Sequence, residues 1–181
     1  VSAVRTAPAL LLPTDLERLE QRARELATGQ LETVHDDAAT RLVLFRLMGL
    51  PCALDATPVE RAVARLLGPV GVPTAGGRDR TVAFVEEQPL PVADLSGTLA
   101  GRERLPSELA GLPALVVATR DGPVAVAVEG PLDLREERLA GTAAEQWSGA
   151  AGMRLAGRLA DGTSVLDTGW LLEWAGKAAH A

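Results

Sequence analysis

The sequence predicts a mainly β protein folded as two small β-barrels packed together, with helices as accessories. Three observations carry that reading. Short runs of β-branched and apolar residues follow one another at close intervals, with turn residues between them. The stretch from Arg80 to Leu95, RTVAFVEEQPLPVADL, sets two such runs on either side of Glu86, Glu87, Gln88 and Pro89, which is a hairpin pattern. The third observation is an internal repeat. Val92-Ala93-Asp94-Leu95 returns 73 residues later as Val165-Leu166-Asp167-Thr168, and LVLFRLMGLPCALDATPV from Leu42 lies opposite LVVATRDGPVAVAVEGPL from Leu115 at the same spacing. Gly49 then matches Gly122, Pro58 matches Pro131 and Ala83 matches Ala156. Two separated blocks sharing one offset indicate a duplicated supersecondary unit.

Taken in order, the chain opens with an extension over residues 1–40. Within it Thr14-Asp15-Leu16-Glu17 is a capping-box sequence, and Leu16, Leu19, Ala23 and Leu26 recur at helical spacing. A narrow amphipathic helix over about 14–28 is expected, packed either on its own domain or on another protein. Gln30 to Thr40 is polar and reads as a linker. From residue 41 to 181 the two repeated lobes follow. Arg41 to Leu54 reads as a hairpin turning at Met48-Gly49, with Cys52 on the return strand. Pro58 to Leu67 has helical spacing of Val59, Val63 and Leu66 or Leu67, and Gly68 to Gly77 is rich enough in Gly and Pro to be expected as a loop.

Beyond the central hairpin, Leu95 to Gly111 is polar and turn-rich and is expected to cross from one half to the other. Leu115 to Glu129 forms the next hairpin, with Arg120-Asp121-Gly122 at its turn. Leu132 to Leu139 is expected as a short helix or turn, and Gly141 to Gly152 as a small-residue loop. The last hairpin, Leu155 to Leu166, turns at Asp161-Gly162, and a closing helix carries Leu171, Leu172 and Ala175 with Trp170 and Trp174 one turn apart. That Trp pair suits either core packing or a partner-binding ridge.

Composition excludes several functions. A chain of 181 residues can bury a core of its own. With a net charge of −6, two Phe, three Trp and no Tyr, it offers neither the basic footprint nor the stacking platforms of a nucleic-acid binder. The apolar run Ala9 to Leu12 is short and broken by Pro13, and no segment has membrane-spanning length, so a soluble cytoplasmic protein without membrane insertion is expected. The single cysteine, Cys52, has no internal disulfide partner and reads as a small buried group.

His35 and His180 are the only histidines, so a His/Cys metal site is not expected. Neither a nucleophile elbow nor a phosphate-binding loop is present, since Gly68 to Gly77 lacks the Lys-Ser/Thr that would follow one. Asp94 and Asp167 could be paired carboxylates, but both end a strand at equivalent positions, which favours capping or turn-making. No cofactor is implied, and binding is favoured over catalysis. A small β-barrel enzyme using Cys52 or the two aspartates is the distant alternative.

From Arg41 to Trp174 the chain resembles the CheW-like domain family, the coupling modules of bacterial chemosensory arrays. The residues that carry the resemblance are RLVLFRLMGLPCALDATPVERAV, PLPVADL, GPVAVAVEGPLDL and LAGRLADGTSVLDTGWLL, in that order. The resemblance implies two SH3-like five-stranded barrels and a non-catalytic adaptor, cytoplasmic and associated with receptor arrays. Its implied partners are chemoreceptor signalling tips and the regulatory domain of a CheA-type histidine kinase. It places partner contacts at Val59, Arg61 and Val63 on the first turn and at Glu86 and Glu87 on the central hairpin, although Val63 also suits the core. A variant that binds only one partner, as a regulator or competitor, is the alternative.

Two departures from the family pattern stand out. The family's N-L-R-G before the proline phrase is Phe84-Val85-Glu86-Glu87 here, and its acidic residue two places after a valine in the first turn is Arg61. Both charges are reversed, so Arg61 and Glu86 are expected either to form an ion pair of exchanged sign or to stand apart as solvated residues.

Overall fold

A computed structural model describes residues 39–74, 79–139 and 152–180. The expected N-terminal helix, His35 and most of the Gly141 to Gly152 loop lie outside these residues. Eleven strands are described: β1 (Thr40–Leu47), β2 (Leu50–Asp55), β3 (Val59–Val63), β4 (Leu67–Pro73), β5 (Asp79–Val85), β6 (Gln88–Asp94), β7 (Ala114–Thr119), β8 (Gly122–Ala127), β9 (Glu129–Glu137), β10 (Leu155–Arg158) and β11 (Ser164–Leu166). Three helices accompany them: α1 (Leu95–Leu99), α2 (Pro106–Leu109) and α3 (Thr168–His180). The strands form a five-stranded sheet in the order β10-β11-β2-β1-β9 and a six-stranded sheet in the order β3-β7-β8-β6-β5-β4.

The duplication is visible as an exchange. The hairpin β1-β2 pairs through β2 with β11 of the other copy, while β7-β8 pairs through β8 with β6, and both of these junctions are parallel. Turn positions refine the offset. Leu47 and Leu50 flank the turn Met48-Gly49, whereas Thr119 and Gly122 flank Arg120-Asp121, so the first hairpins superpose with an offset of 72 rather than 73. One residue matters here, because a one-residue slip reverses the face of every side chain. At the offset of 72, Val43, Phe45, Cys52 and Leu54 match Leu115, Val117, Val124 and Val126, and all eight lie in one buried cluster between the sheets.

The alternate residues of the same strands face the interior of their own sheet. Ala114, Val116, Ala125 and Ala127 meet Ala83, Val85, Leu90 and Val92 on the six-stranded side, while Leu42 and Ala53 meet Leu159 and Val165 on the other. Strands buried on both faces have no polar positions to alternate with, which explains the unbroken apolar runs. Each fully buried Leu or Val contributes about 1.5–3 kcal/mol relative to its exposure. Helix α3 closes the shared core with Leu171, Ala175 and Ala179, and the rings of Trp170 and Trp174 stack 6.1 Å apart against its margin.

Several expectations are corrected. Neither sheet is a closed five-stranded barrel among the described residues, and the six-stranded one gains β4 from the segment expected as a loop. Its outermost strands β3 and β4 are joined by only Ala64, Arg65 and Leu66, so the sheet must curl to bring its ends together. Pro69, which has no N–H, and a register shift between Leu67 and Val70 interrupt β4 where a ladder would start. The segment expected as helical from Pro58 is β3, where alternating half-buried and exposed residues pair with β7. Leu132 to Leu139 is likewise mostly strand: its Leu-Asp-Leu-Arg alternation is the period of β9 against β1. The central hairpin turns on two residues, Glu86 and Glu87, instead of four, because Gln88 already pairs with Val85.

Candidate partner-binding surface

The connection from β2 to β3 is built by short-range hydrogen bonds. The Asp55 carboxylate accepts from the Thr57 amide (2.8 Å), the Ala56 amide donates to the Arg41 carbonyl (2.8 Å), and the Val59 amide donates to the Ala56 carbonyl (3.0 Å). These fix the start of β3. Val59 stands opposite Val117, but Arg61 stands opposite Val116, so a bulge at Glu60 separates them. By this bulge Val59 is directed to the core between the sheets, and Arg61 and Val63 to the side of the six-stranded sheet's own interior.

A groove of about 520 Å³ opens beside Val59, lined by Val43 on β1, Ala56, and Leu132 and Leu134 on β9, with Arg41, Glu60 and Asp133 at its margins. It lies on the repeat. Val59 and Leu132 are separated by the repeat spacing of 73 and both are half-buried against the shared core. Leu132 and Leu134 were not among the expected contact residues, although the repeat spacing from Val59 was a signal for the first of them. Leu134 remains 52% exposed.

At the end of the curled sheet, Arg61 donates to Glu86 Oε2 at 2.6 Å and to Gln88 Oε1 at 3.3 Å. The expected ion pair is formed. It carries β3 back to the β5–β6 turn, although these strands are far apart in the sheet order. Arg61 is 29% exposed and Glu86 73%, so solvent screens the pair and its worth to stability is about 0.2–1 kcal/mol. Glu86 and Glu87 occupy the turn with φ of 49° and 68°. Both are left-handed, a combination that favours Asn-Gly and strains two glutamates. Val63 is half-buried against the sheet interior.

The residues weighed for chemistry have structural work. Asp94 Oδ1 accepts from the Gly97 amide (2.9 Å) and Asp167 Oδ1 from the Trp170 amide (2.6 Å), so each caps the helix that follows its strand. Asp94 is also held by Arg104 (3.3 Å), which bonds Glu129 (3.0 Å), which in turn accepts from the Gly49 amide (3.1 Å). Burial pushes the Asp94 carboxyl above its usual range, against the pull of the Gly97 amide and Arg104. Cys52 is buried in the shared core, and burial lifts its thiol to about 11. A thiol that stays protonated at neutral pH is a poor nucleophile. Among the described residues no group of three or more His, Cys, Asp or Glu is placed to hold a metal ion, and no helix is long and apolar enough to cross a membrane.

The two-sheet arrangement matches the crystal structure of the scaffolding protein TtCheW from Thermoanaerobacter tengcongensis, with a TM-score of 0.52 over 77% of this chain and 97% of that one. The fold is CheW-like. Sequence identity across the match is 15%, so the likeness resides in the backbone. No family model matches the sequence, and no curated protein matches it by sequence.

Proposed function

We propose that this chain is a non-catalytic, CheW-like adaptor coupling chemoreceptors to a CheA-type histidine kinase. The observation that carries the reading is the agreement of its fold with a CheW scaffold over nearly all of that protein. In this reading the two sheets stand in the place of the family's two SH3-like barrels, residues 41–181 make up the adaptor domain and residues 1–40 are an extension. Val59 supplies an apolar contact in the groove and Arg61 borders it, while Val63 lies toward the interior of the six-stranded sheet and Glu86 and Glu87 present carboxylates on the turn that Arg61 reaches. An apolar floor with a charged rim suits recognition of a protein. The setting is a cytoplasmic receptor array.

The test is a calorimetric titration of the full chain with a receptor signalling tip and, separately, with the regulatory domain of a CheA-type kinase from the same organism. Saturable binding to both is expected, and Val59→Arg should weaken the interaction made in the groove at least tenfold. Binding to neither partner overturns the reading.

One observation favours a second reading, a regulator that engages a single partner. The exposed turn is acidic, and its cationic neighbour, Arg61, is already paired with Glu86. A partner adapted to an arginine at that turn meets like charge, which costs several kcal/mol at an interface. Binding to one partner alone would select this reading.

A further inference from the structure

The registers of β4, β5 and β6 place seven apolar side chains on one face that no other described element covers. Leu67, Phe84 and Pro89 form one row across the three strands, Val70, Val82 and Pro91 a second, and Val72 beside Arg80 a third. Leu67 is 68% exposed and Phe84 53%, with Val70 and Val72 also open to solvent. The opposite face is the covered one: Ala83 and Val85 point into the core, and Pro106 of α2 approaches Gly71 from that side. The equivalent strand of the second copy, β10, turns Ala156 and Arg158 outward. The apolar outer face therefore belongs to the first copy alone.

We infer that this face is the self-association surface of the chain, where a second copy packs sheet against sheet. Edge-to-edge growth is disfavoured, since β4 contains Pro69 and Pro73 and a register irregularity, devices that blunt an edge strand. Charge selects the occupant and its direction. Along β5, Arg80 stands at one end and Glu86 and Glu87 cap the other. A two-fold axis lying between the sheets and perpendicular to β5 sets Phe84 of each copy over Val82 of its mate, which brings Arg80 of each over the Glu86–Glu87 turn of the other. Such self-complementarity is what an isologous interface requires. Seven apolar side chains are fewer than a standard interface uses, so the dimer is weak and forms where local concentration is high, as it is for a scaffold.

Sedimentation velocity of the full chain at low salt, over about 5 to 500 µM, should show monomer and dimer in exchange with a Kd of about 10–100 µM. Phe84→Arg should weaken association at least tenfold while leaving the circular dichroism spectrum unchanged, because the ring is outside the core. Arg80→Glu and Glu87→Arg should each weaken it, and the double variant should restore it. A chain that stays monomeric throughout, a dimer indifferent to Phe84→Arg, or a double variant no better than the singles overturns the inference.

Discussion

The central hairpin β5–β6 and its copy β10–β11 end alike, in an aspartate that caps a helix by accepting from the amide three residues on. The segments beyond the two caps differ. The first copy has Gly97 at the bonded position and a helix of five residues, whereas the second has Trp170 and a helix of thirteen. A Cβ at Gly97 would lie 2.0 Å from Asp94 Oδ2 and 2.6 Å from the Arg102 carbonyl, while one at Gly176 in α3 would meet nothing closer than 3.7 Å. The long helix covers the shared core, and the short one yields its space to the Asp94–Arg104–Glu129 cluster. The largest expected effect comes from this contrast. Gly97→Ala should cost about 1–3 kcal/mol, as overpacking against backbone does, and Gly176→Ala should be neutral or stabilise by up to about 1 kcal/mol through helix propensity. Urea unfolding of the two variants beside the parent measures both, and equal effects would remove the contrast.

The turns of the two hairpins diverge in the same way. The closing hairpin turns with Gly162 at φ 87°, while Asp161 accepts from the Thr163 amide, which is favourable turn chemistry. The central one sets two glutamates in left-handed conformations. Strain confined to one of two equivalent turns, and to the one that Arg61 contacts, fits a turn kept for recognition rather than for folding. Replacing Glu86-Glu87 by Asn-Gly should raise stability by about 1 kcal/mol or more, read as a higher unfolding midpoint, and weaken partner binding in the same variant. A rise in stability without loss of binding would leave the strain unexplained.

How much of this was legible depended on how strongly the local pattern spoke. The hairpins around Met48-Gly49, Arg120-Asp121 and Asp161-Gly162, the caps at Asp94 and Asp167, and the burial of Cys52 could be read directly, because turn residues and caps act over three or four positions. β3 and β4 could not. Val59, Val63 and Leu66 or Leu67 fit a helical face as well as a strand until β7 supplies the pairing, and Gly and Pro in β4 read as a loop although the segment is an edge strand on β5, the next strand along the chain. The groove takes its lining from β9 as well as β3, far apart in the chain, so a place for Leu132 and Leu134 in it could not be read from their own neighbours. Arg61 and Glu86 came together as expected, although nothing local to either residue required it.

Asp94 offers a smaller, pH-dependent comparison. Its folded pKa is raised by burial, so the folded state prefers the protonated carboxyl. The sign is opposite to that of a salt-bridged acid: the contribution of Asp94 is present at low pH and is lost as pH rises from the ordinary 3.8 through the raised value. Asp94→Asn retains an acceptor for the Gly97 amide but does not titrate. The stability of the parent minus that of the variant should therefore decline as pH rises through this window, with other carboxylates cancelling between the two proteins. A difference that grows with pH would mean that Arg104 outweighs burial.

The smallest expected effect concerns the position where the two copies differ beside the groove. Arg61 on β3 stands 73 residues before Leu134 on β9, so one copy places a cation near the groove where the other leaves an exposed leucine. Only the cation can hold a neighbouring turn. A double-mutant cycle of Arg61→Ala and Glu86→Ala should give a coupling of about 0.2–1 kcal/mol in stability that shrinks with added salt, and a cycle with Glu87→Ala should give none. The same two cycles measured on partner binding separate recognition from local support. If Glu86 acts only by pairing with Arg61, in the free and the bound chain alike, the coupling will appear in stability and vanish in binding; if the turn is read directly by the partner, Glu87→Ala will weaken binding despite having no stake in stability.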